Sequence, residues 1–112
     1  MTSHDFPESD WKTFRELREP ALQRFCKQIL DELEPIRQDE SRSYHERYLD
    51  IIDVLRDRNA RLAQAFDDPR RSRMIAQLAA IRAYGLLEPA ELARFTSQTR
   101  SSVEEVARAI VR

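Results

Sequence analysis

The chain has one glycine and one cysteine in 112 residues. A single glycine excludes glycine-rich phosphate loops and most architectures built from β-hairpins. A single cysteine excludes an internal disulfide framework and a cysteine-based zinc site. Long apolar runs are absent, so no segment reads as a membrane span. The acidic, proline-containing start does not read as a secretion signal. Neither sign of charge dominates, with 19 basic against 20 acidic side chains. That balance argues against a dedicated nucleic-acid wrapper. These absences together predict a cytoplasmic protein with no membrane association.

What is present suits a folded helical domain. Ile, Leu, Val and Phe total 27 residues, enough for a core in one domain but not two. Residues 1–8 lack periodicity and read as a disordered tail before a single domain at 9–112. From Ser9, a candidate N-cap, apolar residues recur every three or four positions: Trp11, Phe14, Leu17, Ala21, Leu22, Phe25, Ile29 and Leu33. Pro20 interrupts this stripe without shifting its phase, predicting a first helix kinked or broken there and ended by Pro35. Residues 35–42 read as a linker. Ser43 and Glu46 fit a capping box for a second helix ending near Phe66. Its apolar face is Tyr44, Tyr48, Ile51, Ile52, Leu55, Leu62 and Phe66.

Asp68 and Pro69 suit the start of a third helix, and Gly85 with Leu86 suits its end. Between Met74 and Tyr84 only Gln77 and Arg82 fall outside the apolar set, which places this helix centrally. Glu88-Pro89 opens a fourth helix. The hydroxyl-rich stretch from Thr96 to Ser102 predicts a break, with Ser101 capping a last helix. The fold class is all-α, a bundle of four or five helices. Net charge is −4 over residues 1–40 and +4 over residues 69–112, a weak pointer to association.

Ser9-Asp10-Trp11-Lys12-Thr13-Phe14-Arg15-Glu16-Leu17-Arg18, with Asp67-Asp68-Pro69-Arg70-Arg71-Ser72-Arg73, resembles stretches in short uncharacterised bacterial proteins. The resemblance implies a bacterial cytosolic protein and no particular activity.

Three patterns offer chemistry. Glu46, Asp50, Asp53 and Asp57 line one face of the second helix, and with Glu16 and Glu19 they are superficially similar to the acidic pairs of all-helical, Mg²⁺-dependent nucleotide pyrophosphohydrolases. Turning about 100° per residue puts these acids opposite the apolar stripe, whereas metal ligands of a bundle point inward. Arg70, Arg71 and Arg73 cluster before the third helix, a candidate anion or nucleic-acid contact partly neutralised by Asp67 and Asp68. Residues 91–110 are similar to a helix-turn-helix, which implies DNA contact through Arg100 and Arg108. Ser97 replaces the usual turn glycine there, and Glu104 and Glu105 would be repelled by phosphate. Cys26 has no base readable beside it, and His45 lacks the second histidine of a zinc helix.

No catalytic, cofactor-binding or metal-binding residue set emerges. The sequence predicts a non-catalytic helical protein acting through self-association, as a dimer, or through another protein. The expected association surface is Met74, Ile75, Leu78 and Ile81 on the third helix.

Overall fold

A computed structural model describes residues 6–110, all helix and connecting turns with no strand among them. The helices are α1 (Glu8–Gln38), α2 (Tyr44–Phe66), α3 (Met74–Ala83), α4 (Pro89–Leu92) and α5 (Ser97–Ile110), with a 3₁₀ turn at Arg71–Arg73. The chain is elongated, 53 × 24 × 24 Å. A 31-residue helix rises about 46 Å, so α1 alone spans nearly the whole long axis.

α1 is longer than its prolines predicted. It is not broken at Pro20 and does not end at Pro35; both lie inside one helix. Both rings are exposed, so they need no room in the core. The buried stripe of Phe14, Leu17, Ala21 and Phe25 continues in phase across Pro20, and that packing holds the turn despite the missing amide donor. The start also differs. Pro7, not Ser9, precedes the first turn, and Phe6 is half-buried against the core rather than part of a loose tail. Residues 1–5 and 111–112 lie outside the described residues, as does most of the expected tail.

α2 begins with the expected capping box. Ser43 Oγ accepts from the Glu46 amide at 3.0 Å, and Glu46 Oε1 accepts from the Ser43 amide at 2.9 Å. α2 returns along α1 as an antiparallel hairpin. Arg58 holds Glu32 through both carboxylate oxygens, and Phe25 meets Phe66 at 6.3 Å between ring centroids.

α3 starts at Met74, later than Pro69 suggested. Asp68 takes a left-handed backbone conformation (φ 49°), which ends α2's path and delays the new helix by a 3₁₀ turn. The far end is as expected. Gly85 has φ 73°, the Leu86 amide donates to Ile81 O, and the Gly85 amide donates to Arg82 O. These two bonds make a Schellman stop, and the Leu86 behind it is fully buried. α3 packs mainly on α5 and also on α2 and α1. α5 starts at Ser97, so the hydroxyl-rich stretch forms its first turns. Thr99, Val103 and Ala107 are its buried face, and this burial holds a sequence of low helix propensity in place.

The core therefore occupies one end. Buried residues of α1 fall between Asp10 and Ile29, and those of α2 are only Ala65 and Phe66. None of the residues from Leu30 through Gln64 is buried. The distal halves of α1 and α2 project as a two-helix arm from a head built on α3, α4 and α5.

Candidate interaction surface

Half-buried Leu33, Ile51, Leu55 and Leu62 join α1 to α2 along the arm. Other apolar side chains of the arm are left open. Leu30 is 66% exposed, Tyr44 86%, Tyr48 61% and Leu49 45%. Tyr44 and Tyr48 stand one heptad before Ile51 and Leu55 on the same face of α2, so the stripe that meets α1 loses its cover toward the tip, where α1 ends at Gln38. Leu30 and Arg37 are one heptad apart on α1, and Arg37 shares a shallow groove with Tyr44, Arg47, Tyr48 and Ile51.

The tip is held in one shape. Arg47 donates to the carbonyls of Arg37 at 2.6 Å and Arg42 at 3.1 Å, satisfying acceptors at the end of α1 and in the turn. Its guanidinium lies 4.6 Å from the Tyr44 ring centroid, which orders an otherwise solvated tyrosine. Asp39 accepts from the amide and hydroxyl of Ser41, and these bonds lower its pKa. A tyrosine held against an arginine pairs two of the residue types in which interface energy concentrates.

The residues expected to form an association face on α3 are covered within the chain. Met74, Leu78 and Ile81 are buried inside the head and Ile75 is half-buried. α1, α2 and α5 already cover α3 on several sides, which is why it is apolar nearly all round.

Three of the four acids of α2 are already partnered within the chain. Glu46 caps the helix, and the Ser43 amide lowers its pKa. Asp50 receives two bonds from Arg42, both 2.9 Å, and Asp57 pairs with Arg58 and Arg61. Asp53 is exposed. No three metal-ligating side chains converge among the described residues.

The arginines before α3 are likewise paired within the chain. Arg70 and Arg73 reach Asp68, and Arg71 reaches Glu8 while lying over the Trp11 ring. In 91–110 the first helix is the single turn α4. Arg100 donates to Phe95 O at 2.6 Å and serves the end of that turn, and Arg108 donates to Glu104 O. Cys26 is half-buried, unpaired and on the arm side of the head. His45 is exposed.

A larger groove of about 710 Å³ lies where arm meets head, along Phe25, Glu32, Arg58, Arg61, Gln64 and Tyr84. Its polar groups answer one another. Arg58 binds Glu32, Tyr84 donates to Gln64, and Arg61 lies over the Tyr84 ring.

One buried polar cluster gave no sign of a function in the sequence. Asp10, 1% exposed, accepts from the Thr96 amide, the Thr96 hydroxyl and the Thr99 hydroxyl at 3.0, 2.7 and 2.6 Å. The signal was readable in phase: Asp10 precedes Leu17 by one heptad, and Thr99 precedes Val103 by one turn. Both positions face the core.

No helix of the described residues is long and apolar enough to cross a membrane. No family model, no curated protein and no solved structure matches the chain.

Proposed function

We propose that this chain is a non-catalytic association module, and that its working surface is made by the exposed apolar side chains of the α1–α2 arm. The observation that carries this reading is the projection of an arm with no buried residue from Leu30 through Gln64, yet with Leu30, Tyr44, Tyr48 and Leu49 exposed on it. Covering a large apolar side chain is worth roughly 1.5–3 kcal/mol, so these uncovered side chains favour a partner. The rigid tip lowers the ordering cost that binding would otherwise incur. The partner is a second copy or another protein. The half-exposed, unpaired Cys26 suits a reducing compartment, and we propose the cytoplasm.

The test is site-specific photo-cross-linking in cells. A photoreactive residue replaces Tyr48 in one strain and exposed Ser101 on α5 in another. The reading expects a protein adduct, with itself or another chain, at 48 and none at 101. Absence of any adduct at 48, or equal yield at 101, overturns it.

A further inference from the structure

We infer that the outer arm, residues 34–54, opens and recloses as one unit while the head stays folded, and that its weak point is Pro35. This concerns the chain's own motion and does not rest on the association reading.

Packing comes first. Leu33 and Leu55 are half-buried and still pack against the buried cluster of the head. No apolar side chain from 34 through 54 reaches that cluster. The best covered there, Ile36, Ile51, Ile52 and Val54, are only half-buried. Segments with few buried apolar contacts open at a free energy below that of global unfolding.

The hydrogen-bond ladder of α1 is interrupted at the same place. Pro35 has no amide to give the Asp31 carbonyl, and its ring disfavours helical geometry at Glu34. Pro20 carries the same defect, but Leu17 and Ala21, 6% and 1% exposed, lie on either side of it. The apolar neighbours of Pro35, Leu33 and Ile36, are only half-buried. Beyond Leu33, α1 continues only from Glu34 to Gln38, and the outer part of α2 runs from Tyr44 to Val54. Each is shorter than the about 12–15 residues a helix needs to persist alone in water.

Polar ties set the limits of the opening. Arg58 binds both oxygens of Glu32 at 2.8 and 3.0 Å, about one turn inside Pro35, and holds the inner arm closed there. Arg47 bonds the Arg37 and Arg42 carbonyls, so the end of α1 and the start of α2 open together rather than one at a time. The pair of Arg42 and Asp50 fixes the shape of the closed tip, but its side chains are 41% and 36% exposed and it adds little stability.

Hydrogen exchange read by mass spectrometry on the full-length protein at about 1 μM tests this. In the parent, amides of residues 47–54 are expected to be at least about a hundredfold less protected than those of α3. Low denaturant speeds exchange in α3 and barely changes it in 47–54, because little surface is exposed when the outer arm opens. Leu78→Ala, in the head, speeds α3 about thirtyfold or more and leaves 47–54 unchanged, because the arm opens with the head folded. Pro35→Ala restores the missing bond on α1 and slows 47–54 on the facing helix about tenfold. An outer arm as protected as α3, one that speeds up with α3 in Leu78→Ala, or one indifferent to Pro35→Ala each overturns the inference. If Leu78→Ala does not fold, the parent's denaturant series decides: a dependence in 47–54 as steep as in α3 overturns it, and a flat one sustains it.

Discussion

The carboxylate of Asp10, in the first turn of α1, closes on the backbone amide and hydroxyl of Thr96 at 3.0 and 2.7 Å, 86 residues further along the chain. Thr99 adds a third donor from the first turns of α5. One side chain thereby satisfies orphan donors at the start of α5 and pins that helix to the beginning of α1. Removing it strands one buried donor on Thr99 and two half-buried donors on Thr96. Asp10→Ala is expected to destabilise by about 3 kcal/mol, lowering the melting temperature by more than about 10 °C. Asp10→Asn keeps one acceptor and falls between. A melting temperature within a degree or two of the parent for Asp10→Ala would remove this latch from the account.

Pro20 is carried inside a continuous helix with its ring in solvent. Replacing it restores the bond to the Glu16 carbonyl without moving Phe14, Leu17 or Phe25. Pro20→Ala is therefore expected to raise stability by about 1–2 kcal/mol, less than the full interior-proline penalty because alanine also frees the unfolded chain. Differential scanning calorimetry reads the sign directly, and a fall would mean that the proline sets a bend the packing needs.

Arg24 joins α1 to the head. It donates to Leu86 O at 2.9 Å and to both oxygens of Glu91, whose side chain is 17% exposed. These bonds hold the Glu91 carboxyl below its ordinary value of 4.5. A depressed carboxyl contributes stability above that value and loses it as pH falls through the folded one. Glu91→Gln should be less stable than the parent at neutral pH, and the gap should narrow below about pH 4.5. Paired melts from neutral pH to pH 3 check it; a gap independent of pH would contradict the assignment.

Leu78 tests whether the association proposed for the arm is independent of the head's core. It is 1% exposed within the head. Leu78→Ala is expected to cost about 2–5 kcal/mol of unfolding free energy while the folded fraction associates as the parent does. Denaturant melts and sedimentation on the same sample decide it. Weakened association at full folding would return the interface to α3.

Much of the fold was legible because local rules and packing agreed. The Ser43–Glu46 cap, the Gly85–Leu86 stop and the central position of α3 each follow from a few neighbouring residues. Where they disagreed, packing prevailed. Pro20, Pro35 and the serines and threonines of 97–102 are poor helix residues on local grounds, and all sit in helices anchored by buried stripes or by the α1–α2 pairing. The surface was harder to read for one reason: periodicity reports which side of a helix is apolar, not how much of that side a neighbour covers. It gave Tyr48 and Leu55 the same face, and the structure leaves Tyr48 61% exposed near the tip while Leu55 is half-buried. Applied to α3, the same pattern suggested an exposed surface where three helices supply the cover.

Hydrogen exchange at low and high protein concentration tests the central claim most directly, because it shows which segment association covers. Between about 1 μM and about 100 μM protein, amides of residues 44–56 are expected to slow while those of α3 and α5 keep their rates. Slowing confined to α3 or α5, with the arm unchanged, would contradict the account.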